Sequence, residues 1–552
     1  MLSCVRTVAL CAVMLAFGAC SDNTDPASET DTWFRDVTRE SGARFEHENG
    51  MRDELWFAEM MGGGLASVDI DNDGDQDLVF AQGQALDGPD EQGVLHAVLR
   101  NDLAAGVLRF TDITADAGLL ATGYAMGLAA GDVNNDGRVD LYVTAFGPDA
   151  LYMNLGDGRF ERTPAGPNDA RWSVSAAFTD IDRDGRLDLY VGNYVDYRLA
   201  NHKPCRSTTS ARDYCSPTVY PPQGDALWRN VRGDPPVWED VSAKSGIGKP
   251  AGGALGVIAA DLDGDGHTDV YVANDGTPNL LWRNDGQGHF EDVAALSGAA
   301  VNMGGAPEAS MGLDAADHDD DGDVDLFMTH LDRESNTLYL NDGSGFFDDR
   351  SATTGLASSS LPFTGFGTRW ADFDGDGDLD LFSANGAVTQ VQARIDAGDA
   401  FPLGQRNQLF EQRDGVYVDA SAAAGVDTGL DVSRGMALTD LNNDGGLDIV
   451  VGNNRGVGQV LLNARPPARW IGLDVRQREG GRVAIGADVR LMTDGGQRVR
   501  RVHRDGSYAS SSDPRVVFAA VPERVRIVVR WPDGHKRTYT DLALNRYHTL
   551  SP

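Results

Sequence analysis

Beyond its first twenty positions the chain has no long apolar run, which excludes a bundle of membrane-spanning helices. Basic residues are scarce: 47 Lys and Arg stand against 84 Asp and Glu, for a formal net charge of -37. A surface of that sign has no clustered cations with which to wrap a phosphate backbone, so no nucleic acid partner is expected. Catalytic signatures are missing as well, since there is no His-Glu-x-x-His, no Gly-x-Ser-x-Gly and no Gly-Lys-Ser/Thr, and no enzyme is expected on that ground. Apolar residues are only 41% of the chain, while 66 Gly and 22 Pro among 552 residues mark a turn-rich, all-β protein large enough to bury a substantial core.

What the chain does have is repetition. Seven segments share the form Asp-x-Asp/Asn-x-Asp-Gly-x-x-Asp before an aliphatic run, beginning at Asp69, Asp132, Asp180, Asp261, Asp317, Asp372 and Asp440. The spacings of 63, 48, 81, 56, 55 and 68 residues are too long for a solenoid turn and suit a four-stranded blade. In each unit a small-residue strand enters the acidic loop, an apolar strand leaves it, and a second hairpin follows. Asn-Asp-Gly sequences near Asn284 and Asn341 read as hairpin turns. No helix is expected. The fold class is all-β: a seven-bladed β-propeller with a small C-terminal β-domain.

The acidic loops have the chemistry of hard-cation sites, because positions 1, 3, 5 and 9 hold only Asp or Asn. The candidate metal residues, with position 7 expected to act through its backbone carbonyl, are Asp69, Asp71, Asp73, Asp75 and Asp77; Asp132, Asn134, Asp136, Arg138 and Asp140; Asp180, Asp182, Asp184, Arg186 and Asp188; Asp261, Asp263, Asp265, His267 and Asp269; Asp317, Asp319, Asp321, Asp323 and Asp325; Asp372, Asp374, Asp376, Asp378 and Asp380; and Asp440, Asn442, Asp444, Gly446 and Asp448. Position 6 is Gly throughout, as a tight turn around an ion requires. An EF-hand needs Glu at position 12, and none of the seven has it. The expectation is up to seven Ca2+ ions held between strands.

These loops resemble the FG-GAP or VCBS repeats of integrin-α-like propellers, over residues 33–463. The rest of the chain, with Ile485-Gly486-Ala487-Asp488-Val489, Gly506-Ser507-Tyr508-Ala509-Ser510 and Trp531-Pro532-Asp533-Gly534, resembles an ASPIC and UnbV domain over 464–552. That order of modules is similar to the cartilage acidic protein family. The family pattern has Gln after Tyr-x-Ser and a His-Phe-Gly-x-Gly turn, where this chain has Ser511 and Val517-Phe518-Ala519-Ala520. The resemblance implies an exported, calcium-binding adhesion or interaction protein and no reaction. The alternative is a carbohydrate-active propeller, a lectin or a sugar lyase.

The one apolar run, residues 8–17 behind Arg6, reads as an export signal over 1–19. Its end, Gly18-Ala19-Cys20, resembles a lipobox with Phe17 in place of Leu, so Cys20 is the lipidation candidate and 20–32 a tether; the alternative is cleavage after Gly18 by an ordinary signal peptidase. The protein is then a lipoprotein facing the periplasm or the cell surface. Cys205 and Cys215 are the remaining pair and a disulfide candidate. Long insertions at 82–96, 194–225 and 386–406 all fall between second and third strands, so the face opposite the calcium loops is the candidate site for a protein or glycan ligand. Tyr214, Tyr220, Pro221 and Pro222 favour the middle insertion, and His202 and His330 fall on the same face.

Two architectural expectations complete the reading. Unit 7 lacks a fourth strand, and residues 33–37 have the pattern to supply it, compare Phe290-Glu291-Asp292-Val293. Residues 465–552 carry 17 basic and 9 acidic residues, net +8. They should dock on the flank of the acidic propeller through Arg498, Arg500, Arg501 and Arg504.

Overall fold

The computed structural model describes residues 32–552 apart from 53, 88–92, 122, 165, 208–210, 250–251 and 479–480. The signal segment, Cys20 and all of the tether except Thr32 lie outside the described residues. Among the described residues no helix is long and apolar enough to cross a membrane.

Seven four-stranded antiparallel sheets correspond to the seven units. The first strands, Leu65–Val68, Tyr124–Gly131, Ser173–Thr179, Ala254–Ala260, Leu313–Ala316, Gly365–Ala371 and Ser433–Thr439, each touch the next, and the last touches the first. The sheets therefore stand as blades around an axis. Such inner strands are walled on all sides, and Tyr124–Gly131 is buried at every position. Their small residues follow a rule that periodicity analysis of the loops passed over. Five residues before each opening Asp stands Gly64, Gly127, Ser175, Gly256, Gly312, Gly367 or Gly435.

The seventh blade closes as its missing strand required. Phe34–Asp36 pairs antiparallel with Gln459–Asn463, in the register Phe34 to Asn463 and Asp36 to Leu461. Trp33, Phe34 and Val37 are buried there, and each contributes roughly 1.5–3 kcal/mol of apolar burial to the seam. Helix does occur, contrary to expectation, as single turns after fourth strands, Thr114–Ala117, Ser242–Ser245, Ala294–Ser297, Leu356–Ser360 and Ser421–Ala424, and as Gln392–Asp396 in the third insertion. Four of them end on Gly118, Gly246, Gly298 or Gly425 in the left-handed region, the usual C-terminal stop.

The C-terminal residues form a three-stranded sheet, Val516–Ala519 beside Trp470–Val475 beside Tyr547–Leu550, and a four-stranded one, Gly496–Arg501, Asp488–Thr493, Arg526–Arg530 and Lys536–Thr540. They share a core that includes Trp531, Val489 and Phe518. This unit docks on the mouth of the ring that carries the acidic loops, which corrects the expected position on the flank. From it, residues 503–515 run into the axis and bond the inner strands. Leu128 N donates to Ala509 O (3.1 Å), Leu313 N to Ser507 O (3.0 Å), Ser67 N to Ser511 O (2.9 Å), Ala259 N to Asp505 Oδ2 (2.7 Å) and Asp513 N to Leu438 O (3.0 Å). Ala509 N donates to Ser175 Oγ (3.0 Å), and Arg369 Nη1 to Asp505 O (2.6 Å). Every blade thus holds the plug. Gly64, Gly127 and Gly435 of that column leave room for it, since a Cβ there would lie, respectively, 2.2 Å from Ala509 O, 2.5 Å from Ala509 O and 2.5 Å from Ser510 Oγ, whereas Gly256, Gly312 and Gly367 make room for neighbouring inner strands.

The other mouth is sealed by described residues of the insertions, among them Tyr194, Tyr220 and Leu403, together with Phe57, Met60 and Met61. Phe57, Trp172, Tyr194, Tyr197, Tyr214 and Tyr220 pack together there with Tyr508 from the plug, and Tyr508 Oη donates to Met61 O. The aromatic residues expected to meet a ligand are instead the core of a lid. Cys205 and Cys215 are disulfide-bonded within it. Arg434, fully buried, donates to the carbonyls of Met60, Gly386, Ser433 and Ala387 and lies 4.0 Å over the Phe366 ring. Burial lowers its pKa to about 10.

Candidate cation loops

Each loop is built by its own backbone before any ion is considered. Gly at position 6 takes positive φ in all seven, from 85° at Gly137 to 109° at Gly377. Position 4 is also left-handed in all seven, at Asn72, Asn135, Arg183, Gly264, Asp320, Gly375 and Asn443. Asn, Asp and Gly tolerate that region best, which explains six of the seven choices. The two left-handed residues coil the chain so that amides point inward. In blade 2, Asp136 N and Gly137 N donate to the two oxygens of Asp132 (3.1 and 2.8 Å), and blades 1, 3 and 7 repeat the pair. The N–H of position 7 donates to Oδ1 of position 5 in every loop.

Position 9 has a second duty that its place in the motif did not reveal. Oδ2 of Asp77 accepts from Ile70 N (2.8 Å) and Oδ1 from Asn101 N (2.6 Å), on the third strand of the blade. All seven position-9 residues do this. The third-strand residue then reaches out of its own blade. The side-chain amide of Asn101 donates to Leu441 O, Asn154 to Ile70 O, Asn230 to Val133 O, Asn284 to Ile181 O, Asn341 to Leu262 O, Gln412 to His318 O and Asn463 to Phe373 O. Every acceptor is the loop's second residue in the preceding blade, so the clasps form a closed circuit. The Asn of Asn-Asp-Gly, read from sequence as a hairpin residue, is the clasp itself.

The loops bring their carboxylates together. Oxygens lie within 4.8 Å of one another for Asp69, Asp71 and Asp77; Asp180, Asp182 and Asp188; Asp261, Asp263 and Asp265; Asp317, Asp319 and Asp325; and Asp372, Asp374 and Asp376. Burial pushes the position-9 carboxyls up, to about 8 for Asp77, Asp140, Asp188, Asp269 and Asp325 and about 9 for Asp380. Burial raises the position-1 groups less, to about 6 at Asp69, Asp180 and Asp440 and about 7 at Asp317 and Asp372. Buried ligand oxygens without a hydrogen-bond partner among the described residues are Asp71 Oδ1, both oxygens of Asp317, and Asp372 Oδ2. A hard cation with oxygen ligands fits these donors, since it supplies the charge that desolvation removes. At position 7 the side chains of Arg138 and Arg186 are engaged, on Asp136 and Asp184, and so are not indifferent as expected.

The C-terminal unit reads the loops directly. Arg530 Nη2 lies 3.1 Å from Asp261 Oδ2, Tyr547 Oη donates to Asp440 Oδ2 (2.7 Å), and Arg482 Nη2 donates to Gly185 O (3.0 Å). Arg515 donates to Asp440 O (2.9 Å) and Asn443 Oδ1 (2.7 Å). Arg498 Nη1 donates to Gly377 O, Arg501 Nη1 to Ala315 O, and Arg504 Nη1 to Ser67 O, while Arg500 Nη1 lies 3.9 Å from Asp320 Oδ1, so the four expected arginines all make contact. The two expected histidines lie apart from the loops. His330 is buried and burial pushes it down to about 3, and His202 Nδ1 is 3.2 Å from Tyr197 Oη inside the lid.

Residues 477–552 match the ASPIC and UnbV family, and four overlapping segments, 69–143, 132–191, 261–328 and 317–383, match the FG-GAP-like repeat. Cartilage acidic protein 1 of Xenopus tropicalis is 26% identical over 499 residues, 85% of this chain and 70% of the relative. The Homo sapiens protein of the same name is 27% identical over 507 residues, 85% and 69%. Among solved structures, an Agrocybe aegerita lectin that recognises non-reducing terminal N-acetylglucosamine aligns with TM-score 0.38 and 16% identity, over 70% of this chain and 88% of the lectin.

Proposed function

From a chain of FG-GAP-like repeats closed by an ASPIC and UnbV domain, similar to cartilage acidic protein 1, we propose an exported, calcium-stabilised interaction module that is lipid-anchored at Cys20. One observation carries the calcium reading: buried aspartate oxygens converge at the loops with no donor of their own, Asp317 foremost; export and the anchor rest on the sequence of the first twenty residues. Calcium would supply a divalent charge to these oxygens. The chain's own residues do the rest, since amides at positions 5, 6 and 7 orient the carboxylates and the Asn clasps lock each loop to the next blade. Both mouths of the ring are filled, so recognition falls to the outer surface on the lid side, where Leu120 and Leu430, in the segments leading into the second and seventh blades, are uncovered, with a protein or glycan as the partner.

Binding to the native state alone adds about 2.7 kcal/mol per site at a hundred times the dissociation constant. Thermal unfolding in calcium and in excess chelator tests the reading, and Asp263→Ala should lower the midpoint in calcium. An unchanged midpoint in chelator rejects it. A glycan array probed with and without calcium then separates a glycan partner from a protein one.

A further inference from the structure

The seven loops share a motif but not a state of satisfaction. The deciding atom is Oδ2 of the position-5 aspartate, the oxygen left over after Oδ1 has taken the position-7 amide. In blade 2 this atom of Asp136 accepts from Asn134 Nδ2 (2.9 Å) and from Arg138 Nη2. In blade 3 the same atom of Asp184 accepts from Arg186 Nη2, and Arg229 Nη2 sits between Asp182 Oδ2 and Asp184 Oδ2, 3.7 Å from the latter. In blade 7 it is held by Asn442 Nδ2 (2.8 Å), while Tyr547 and Arg515 serve Asp440 from the C-terminal unit. In blade 4, Arg530 Nη2 reaches in from the C-terminal unit and lies 3.1 Å from Asp261 Oδ2. Among the described residues no donor reaches Oδ2 of Asp73, Asp321 or Asp376, in blades 1, 5 and 6.

Two independent features follow the same division. The orphaned buried ligand oxygens belong to Asp71, Asp317 and Asp372, all in the second group. Asp317 is only 3% exposed. Position 7 is Asp75, Asp323 or Asp378 in blades 1, 5 and 6, where it adds negative charge, against Arg138 and Arg186 in blades 2 and 3.

Resting on the reading of the loops as calcium sites, we propose that only three of them, in blades 1, 5 and 6, are cation sites, and that in blades 2, 3, 4 and 7 the chain's own donors hold the place of the ion. Charge count sets affinity in such sites. Positions 1, 3, 5 and 9 carry four aspartates in each of the three open loops but three in blades 2 and 7, where Asn134 and Asn442 intervene. Blades 3 and 4 have four, offset by Arg186 and Arg229 in the one and by Arg530 in the other. An ion entering a filled loop must displace a charge-assisted bond, which weakens binding by about 10- to 100-fold.

Equilibrium dialysis of the full chain against rising calcium tests this in the loaded protein, where folding is not in question. A plateau at three ions per chain is expected, and Asp321→Asn should lower it to two. The double substitution Arg186→Gln and Arg229→Gln frees Asp182 and Asp184 and should raise it to four, with circular dichroism confirming the fold. Seven ions in a single class, any other plateau, or no gain in a folded double variant overturns the division while the calcium reading stands. No bound calcium at all overturns that reading and the division with it.

Discussion

The plug can be tested through a single methyl group. Gly127 lies in the second blade's inner strand, and its three nearest atoms to an added Cβ all belong to Ala509, at 2.5, 2.7 and 2.8 Å. Its φ is not in the left-handed region, so Gly127→Ala strains nothing in its own strand and, by stiffening the unfolded chain, would stabilise an empty channel by about 0.4–1 kcal/mol. With the plug in place the methyl group collides with backbone that cannot swing aside. Overpacking of that kind costs about 1–3 kcal/mol, so the net expectation is a loss of roughly 1–2 kcal/mol, against a gain if the channel were open. Thermal unfolding gives the sign. Hydrogen exchange gives the place, because Leu128 N donates to Ala509 O and Ser67 N to Ser511 O; both amides should exchange faster in the variant. Gly256→Ala is the control: its Cβ meets Met311 O at 2.6 Å, inside the ring, so it should destabilise without singling out those amides. A stabilised Gly127→Ala protein with unchanged exchange at Leu128 and Ser67 would refute the plugged channel.

Three further expectations follow from the ring and its lid. Asn284→Ala removes a buried clasp and leaves Ile181 O (3.0 Å) and Thr268 O (3.1 Å) without their donor, so urea unfolding should show a loss of about 1–3 kcal/mol; an unmoved midpoint refutes the clasp. Deleting residues 33–37 uncovers Gln459–Asn463 as a bare edge and should make the seventh blade the first to be cut in limited proteolysis; equal resistance would mean that closure lies elsewhere. Burial raises Glu59 from 4.5 to about 8. The folded protein therefore keeps that proton up to about pH 8, whereas the unfolded chain gives it up near 4.5, so stability falls with rising pH across this window by at most roughly 1.4 kcal/mol per unit. Glu59→Gln carries no such proton and should gain on the parent from pH 5 to pH 8 in thermal melts; parallel curves would sink the argument.

What was legible in the sequence was whatever repeats with its own chemistry. Seven acidic loops imply seven blades, and a seventh unit ending at Asn463 without a fourth strand pointed to Phe34–Asp36. The clasps were hidden because Asn284 in Asn-Asp-Gly already has a sufficient local explanation as a turn, while its acceptor lies on another blade. The glycine column was hidden for a different reason. A small residue in an inner strand reads as packing, and it is the plug that gives Gly127 something to avoid. The plug has no period at all, and Ser507 and Ala509 at positive φ are held by walls that local sequence cannot announce. The tyrosines of the lid misled because aromatic, Pro-rich loops look alike whether they face a ligand or one another.

The seam of the seventh blade also sets a timetable for synthesis. Phe34 cannot find Asn463 until some 430 further residues have been made, which at about 5–20 residues per second is roughly 20–90 s of translation. Throughout that interval the first strand, with Trp33 and Phe34 on it, has no mate, and six nascent blades stand as an open arc with bare flanks. The plug arrives later still, so the ring is completed before its axle is.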